Sequence, residues 1–146
     1  MRFILSAAAA ATLASASFAE DGLVTYTTTD AFDDVVFGLE SAILDKGLVV
    51  DSISHIGEML ERTRADVGSD KVLFSAAEAY QFCSASLSRK VMEADLMNIR
   101  FCPYTIFVSQ LDGKDEVTVG FRTYPEGPMK EVQALLDDLA RSAIGE

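Results

Sequence analysis

Apolar residues recur along this chain with two different periods, and the switches between them mark out its elements. Leu23 to Thr28 alternates and is rich in Thr, Val and Tyr, the period of two expected of a strand. Phe32, Val36, Leu39 and Ile43 then recur at helical spacing, with Asp30 as the expected N-cap and Gly47 ending the pattern. Leu48 to Ile53 is a β-branched strand. Ser54 is expected to cap a second helix that carries Ile56, Leu60 and Val67 on one face, with Glu61, Arg62 and Arg64 elsewhere, until Gly68-Ser69-Asp70 breaks it. Lys71 to Ala77 fits neither period. Ala79 to Cys83 predicts a short strand, followed by a helix over 85–94 with Leu87, Val91 and Ala94 facing inward. Phe101 to Ser109 and Glu116 to Thr123 are the clearest strands, and Asp112-Gly113 between them is a strong hairpin signal. Tyr124-Pro125-Glu126-Gly127-Pro128 is a rigid connector. Pro128 suits the first turn of a last helix whose stripe is Met129, Val132, Leu136, Leu139 and Ala143.

The predicted order is β-α-β-α-β-α-β-β-α, which reads as an α+β fold with helices packed on one sheet. Upstream of it, Arg2, the apolar run Phe3 to Leu13, and small residues at Ser17 and Ala19 have the form of a secretory signal over 1–19. Cleavage near Ala19 leaves residues 20–146 as a single domain, with no membrane anchor and a periplasmic or secreted location. The full chain of 146 residues carries a net charge of −11 from 23 acidic against 12 basic side chains. With no cluster of Lys and Arg, nucleic acid is excluded as a partner, and docking on an anionic membrane is disfavoured. Phe101 to Ser109 is apolar on both faces, so the sheet is expected to be covered by helices on one side and by a second copy of the chain on the other.

An even cysteine count in an exported chain points to a disulfide between Cys83 and Cys102. Bonded, the pair closes a loop of about 20 residues, worth about 3 kcal/mol in the chain-entropy account. Free, Cys83 would lie near a helix N-terminus, where a thiolate is favoured, so a redox or ligating pair stays open as an alternative. His55 is the only histidine, and Met59 follows one helical turn later. Imidazole and thioether at that spacing, with Cys83, Cys102, Met92 or Met97 adding sulfur, would suit copper or an axial haem position. There is no C-x-x-C-H for covalent haem attachment, no G-x-S-x-G, and no glycine-rich phosphate loop. Hydrolase and nucleotide-binding readings therefore lack support. Asp33-Asp34 and Asp137-Asp138 read as solvated helix faces. Tyr104, Arg122 and Tyr124, around the connector, are candidates for lining a pocket.

The stretch from Cys83 to Val108 resembles the domain-of-unknown-function family 302. Its members carry a Cys-Asn-Pro turn, a helix ending near Ala-Asp-Pro, then Leu-Pro-Cys leading into an apolar strand. Here Cys83-Ser84-Ala85 stands at the first motif. Leu87, Met92, Ala94 and Asp95 fit the helix, and Cys102, Ile106 and Val108 fit the strand. Upstream, Phe32-Asp33-Asp34-Val35-Val36 to Lys46-Gly47-Leu48 resembles the family's opening helix and its exit. Asn and Pro are missing after Cys83, Leu96 follows Asp95, and Pro103 follows Cys102 rather than preceding it. The resemblance implies a TBP-like arrangement, a curved antiparallel sheet with helices against it, and a homodimer. It implies no activity. The expected function is a periplasmic, non-catalytic binding or accessory protein with a soft-metal or haem site near the cysteines. The alternatives are a thiol redox protein using Cys83 and Cys102, and a disulfide-stabilised structural or interaction module.

Overall fold

The computed structural model describes residues 18–20 and 22–146. The chain runs β1 (Phe18–Glu20), β2 (Leu23–Thr28), α1 (Phe32–Asp45), β3 (Val50–Ser54), α2 (Ile56–Thr63), β4 (Phe74–Phe82), α3 (Ala85–Ala94), a 3-10 turn (Leu96–Phe101), β5 (Tyr104–Leu111), β6 (Val117–Arg122) and α4 (Met129–Ala143). Among the described residues the strands form one antiparallel sheet in the order β1-β2-β6-β5-β4-β3. The expected α+β fold with helices on a sheet is therefore the observed one. Residues 1–17 of the expected signal sequence lie outside the described residues, while Phe18–Glu20 pairs as a short strand with β2.

Alternation along the strands divides the sheet into two faces. Tyr26, Val119 and Val108 lie in register across β2, β6 and β5 and are buried with α1 and α4. Those helices supply Val35, Leu39 and Ile43, and Val132, Leu136 and Leu139, all within 1% of full burial. They approach closely because α1 has no side chain at Gly38: a Cβ there would stand 2.8 Å from the Ala143 carbonyl oxygen. The Tyr26 hydroxyl donates to Asp137 on α4, and Arg141 lies over the Tyr26 ring at 4.8 Å while reaching Asp137 at 3.1 Å. Asp137 is thus an anchor between helix and sheet rather than a solvated acid.

Several boundaries differ from expectation. Asp30 does not cap α1; its backbone N–H and carboxylate are both engaged with the Thr28 hydroxyl, and Ala31 takes the N-cap position without a side-chain bond. Ser54 ends β3, so His55 becomes the N-cap of α2, which stops at Thr63 and leaves Val67 in a turn. The ambiguous stretch before Ala79 belongs largely to β4, where Ala76, Ala77 and Ala79 dilute the β signal but fit beneath close neighbours. On α3 the buried positions are Ser88 and Val91, while Ala94 is exposed. Phe101 ends the 3-10 turn instead of opening β5. Within that turn, Asn98 is buried and its side-chain amide donates to the Val91 carbonyl at 2.8 Å, closing the end of α3.

Candidate functional site

Phe82 and Tyr104 are cross-strand partners at one end of the sheet, so Cys83 and Cys102 leave β4 and reach β5 side by side. Their Cα atoms are 6.6 Å apart and the sulfurs are bonded, within the separation a disulfide requires. The bridge encloses α3 and the 3-10 turn. Behind it the Ser88 hydroxyl lies 4.0 Å from the Cys102 sulfur and 2.9 Å from the Tyr104 hydroxyl. Tyr104 and Tyr124 stack edge-on at 6.4 Å, and Phe101 meets Tyr124 at 5.5 Å. Burial, then the neighbouring Tyr104, push the Tyr124 phenol up to about 12. Tyr104 and Tyr124 are core residues, and Arg122 is exposed. The three line neither the cleft beside α2 nor the one between the ends of β5 and β6.

His55 and Met59 stand elsewhere. Ser54 pairs with Ala79, four residues of strand before Cys83, which is about 13 Å along β4. The His55 Nδ1 atom lies 2.8 Å from the Glu78 carboxylate, whose other oxygen accepts from the Tyr80 hydroxyl. Burial, then that bond to Glu78, raise the Tyr80 phenol far above its ordinary value. Met59 lines a different surface, described below. The structure therefore joins Cys83 to Cys102 but does not bring His55 and Met59 to them. Among the described residues, no group of three or more His, Cys, Asp or Glu side chains is arranged to hold a metal. Glu78 and Tyr80 escaped the sequence reading. The only signal for them is an acid set among small apolar residues in a strand.

Two further features are surfaces. On the sheet face away from α1 and α4, Thr25, Gly120, Phe107 and Ala79 form one cross-strand row, and Thr27, Thr118, Ser109 and Ala77 form the next. Arg122, paired with Leu23, and Gln81, paired with Thr105, follow on the same face. Neither Asp nor Glu stands among these positions. Phe107 lies over Gly120, where a Cβ would come within 2.6 Å of the ring. The second feature is a cleft of about 410 Å³ between α2, the turn after it and the start of β4. Its walls are Met59, Leu60, Val67, Leu73 and Phe74, with Arg64 and Lys71 also lining it. No described helix is long and apolar enough to cross a membrane.

No protein-family model matches the chain, and no curated protein matches it. Among solved structures it is similar to the crystal structure of an uncharacterized conserved protein DUF302 from Bacillus stearothermophilus. The two share 16% identity with a TM-score of 0.60, over 84% of this chain and 94% of that one. The fold of this chain is the fold of that protein, as the Cys83 to Val108 resemblance implied.

Proposed function

We propose that this protein is an exported, disulfide-stabilised, non-catalytic binding module that acts as a homodimer, its two copies meeting on the open face of the sheet. Charge distribution supports the reading most. A chain of net charge −11 keeps the cross-strand rows of Thr25 and Thr27 free of acid on β2, β6 and β5, with Phe107 among them, while α2 covers the β4 end at Ala77. Two copies brought together there avoid the repulsion that any acidic surface would impose. The Cys83–Cys102 bond supports export, since disulfides persist in oxidising compartments, and so does the apolar run Phe3 to Leu13 after Arg2. The polar groups near the core are engaged with one another, Tyr26 with Asp137, Tyr80 with Glu78 and Ser88 with Tyr104, which supports a binding role over catalysis. Light scattering at micromolar concentration tests the dimer. The wild type is expected at about twice the chain mass, and Phe107→Glu at the chain mass with an unchanged far-UV spectrum. A monomeric wild type would overturn the reading.

A further inference from the structure

α2 is amphipathic, with Ile56, Leu60 and Thr63 partly covered and Glu58 and Arg62 exposed, yet it buries none of its residues. Its Gly57 presses against the Ala77 backbone, where a Cβ would come within 2.8 Å of the Ala77 nitrogen. That contact fixes the helix on β4 but leaves its apolar side facing the cleft of about 410 Å³. Met59 is 42% exposed, Leu73 43% and Val67 75%, so apolar surface is left open to water on three sides of one hollow. The volume falls within the range of small-ligand sites, about 300–1000 Å³.

The residues that line this cleft are more basic than their surroundings, with Asp66 and Asp70 lying in the same turn outside the lining. Its lining includes Arg64 and Lys71, and Glu61 as the one acid. Glu61 is already taken by Arg64 at 3.0 Å. The Lys71 ammonium is exposed and makes no ion pair among the described residues. Arg64 gives its two terminal nitrogens to the Asp70 carbonyl and to Glu61, while its Nε–H is buried without an acceptor. In a chain with 23 acidic and 12 basic side chains, an apolar hollow edged by an unpaired ammonium selects for a negative group joined to a hydrocarbon body.

We propose that this cleft is a binding site for a free fatty carboxylate of medium chain length. The hydrocarbon lies on Met59, Leu60, Val67, Leu73 and Phe74, and the carboxylate meets Lys71 beside Arg64. The proposal rests on the binding-module reading but not on the dimer, because Phe107 lies on the open sheet face and is absent from the cleft lining.

Calorimetric titration of the purified, oxidised protein with hexanoate, octanoate and decanoate tests it, with decanol and decylammonium as matched probes. Affinity is expected to rise about fifteenfold for each two carbons, since each buried methylene adds roughly a factor of four. Decanoate is expected to bind at least tenfold more tightly than decanol or decylammonium. Lys71→Glu should remove that preference, and Val67→Asp, at an exposed position, should abolish binding while leaving the melting temperature unchanged. Equal affinity for the three ten-carbon probes, or no binding of decanoate, would overturn the proposal. Binding of anionic phospholipid vesicles without binding of free decanoate would overturn it in favour of a membrane surface. A change from dimer to monomer on Val67→Asp, with no decanoate binding by the wild type, would assign the cleft to a second copy instead. Phe107→Glu separates the two readings, since a monomer that still binds decanoate keeps the site and loses only the dimer.

Discussion

Removing the Cys83–Cys102 bond is the perturbation whose size follows most directly from the structure. The bonded residues are separated by 19 positions, so the loop-closure entropy they remove from the unfolded chain is worth about 3 kcal/mol at 25 °C. Unfolding entropy of roughly 2.1 cal/mol/K per residue gives about 0.26 kcal/mol/K for a domain of this size, so the loss corresponds to a fall of about 12 °C in Tm. The double variant Cys83→Ala/Cys102→Ala is the right probe, because a single replacement would leave a thiol free to pair between molecules. The enclosed segment has other anchors, Ser88 to Tyr104 at 2.9 Å and Lys90 to Glu131 at 2.7 Å, and is braced within itself by Asn98 to Val91 at 2.8 Å. The native near-UV spectrum should therefore survive below the transition. Scanning calorimetry and urea titration of both proteins, unreduced, measure the effect, and the urea slope of the variant should rise as its unfolded state expands. A Tm drop under about 4 °C with an unchanged slope would refute the loop-entropy reasoning and leave local packing as the stabilising element.

Gly120→Ala should destabilise by about 1–3 kcal/mol, as overpacking does, because its Cβ would come within 2.6 Å of the Phe107 ring and 2.8 Å of the Val24 carbonyl oxygen. Urea melts should show that adding Phe107→Ala restores only part of the loss, since the Val24 contact is backbone; full restoration would contradict the geometry. Alkaline unfolding should report Tyr124, whose phenol is raised to about 12 from 10.0: a group held protonated by the fold contributes stability below its unfolded value that is lost as pH rises through 10 to 12, up to about 3 kcal/mol. Tyr124→Phe should flatten that slope in Tm against pH, while an unaltered slope would remove Tyr124 from the account.

The sequence pattern carried the long periodic elements and failed where side chains serve two neighbours at once. The last helix was legible because Met129, Val132, Leu136 and Leu139 hold one period throughout, and all four are buried. The cysteine pairing was legible as one of three alternatives, from count and compartment. β4 was not legible over its first half, because its alanines are small for close packing rather than for strand propensity, as Gly57 against Ala77 shows. Asp30 and Ser54 are chemically good caps, but the Thr28 hydroxyl and the end of β3 claim them first. His55 and Met59 are neighbours on one turn in sequence terms, yet Glu78 draws the imidazole to the sheet while the thioether lines the cleft. The cleft itself left no mark in the sequence, since it is made by a turn folding back on a short helix.

The sheet order has a consequence for how the chain comes into being. β2 lies between β1 and β6, with Tyr26 paired to Val119, and α1 rests on α4 through Gly38 and Ala143. A chain delivered from its N-terminus, by a ribosome or through a membrane pore, therefore presents its first full strand and helix some 90 residues before the partners that complete them arrive. Closing contacts over such distances is slow compared with local pairing. The meander β4-β5-β6 can assemble from neighbours alone, whereas the opening strand and helix wait in an open state for nearly the whole length of the protein. The topology thus leaves the first strand and helix without their cross-sheet partners until β6 and α4 are present.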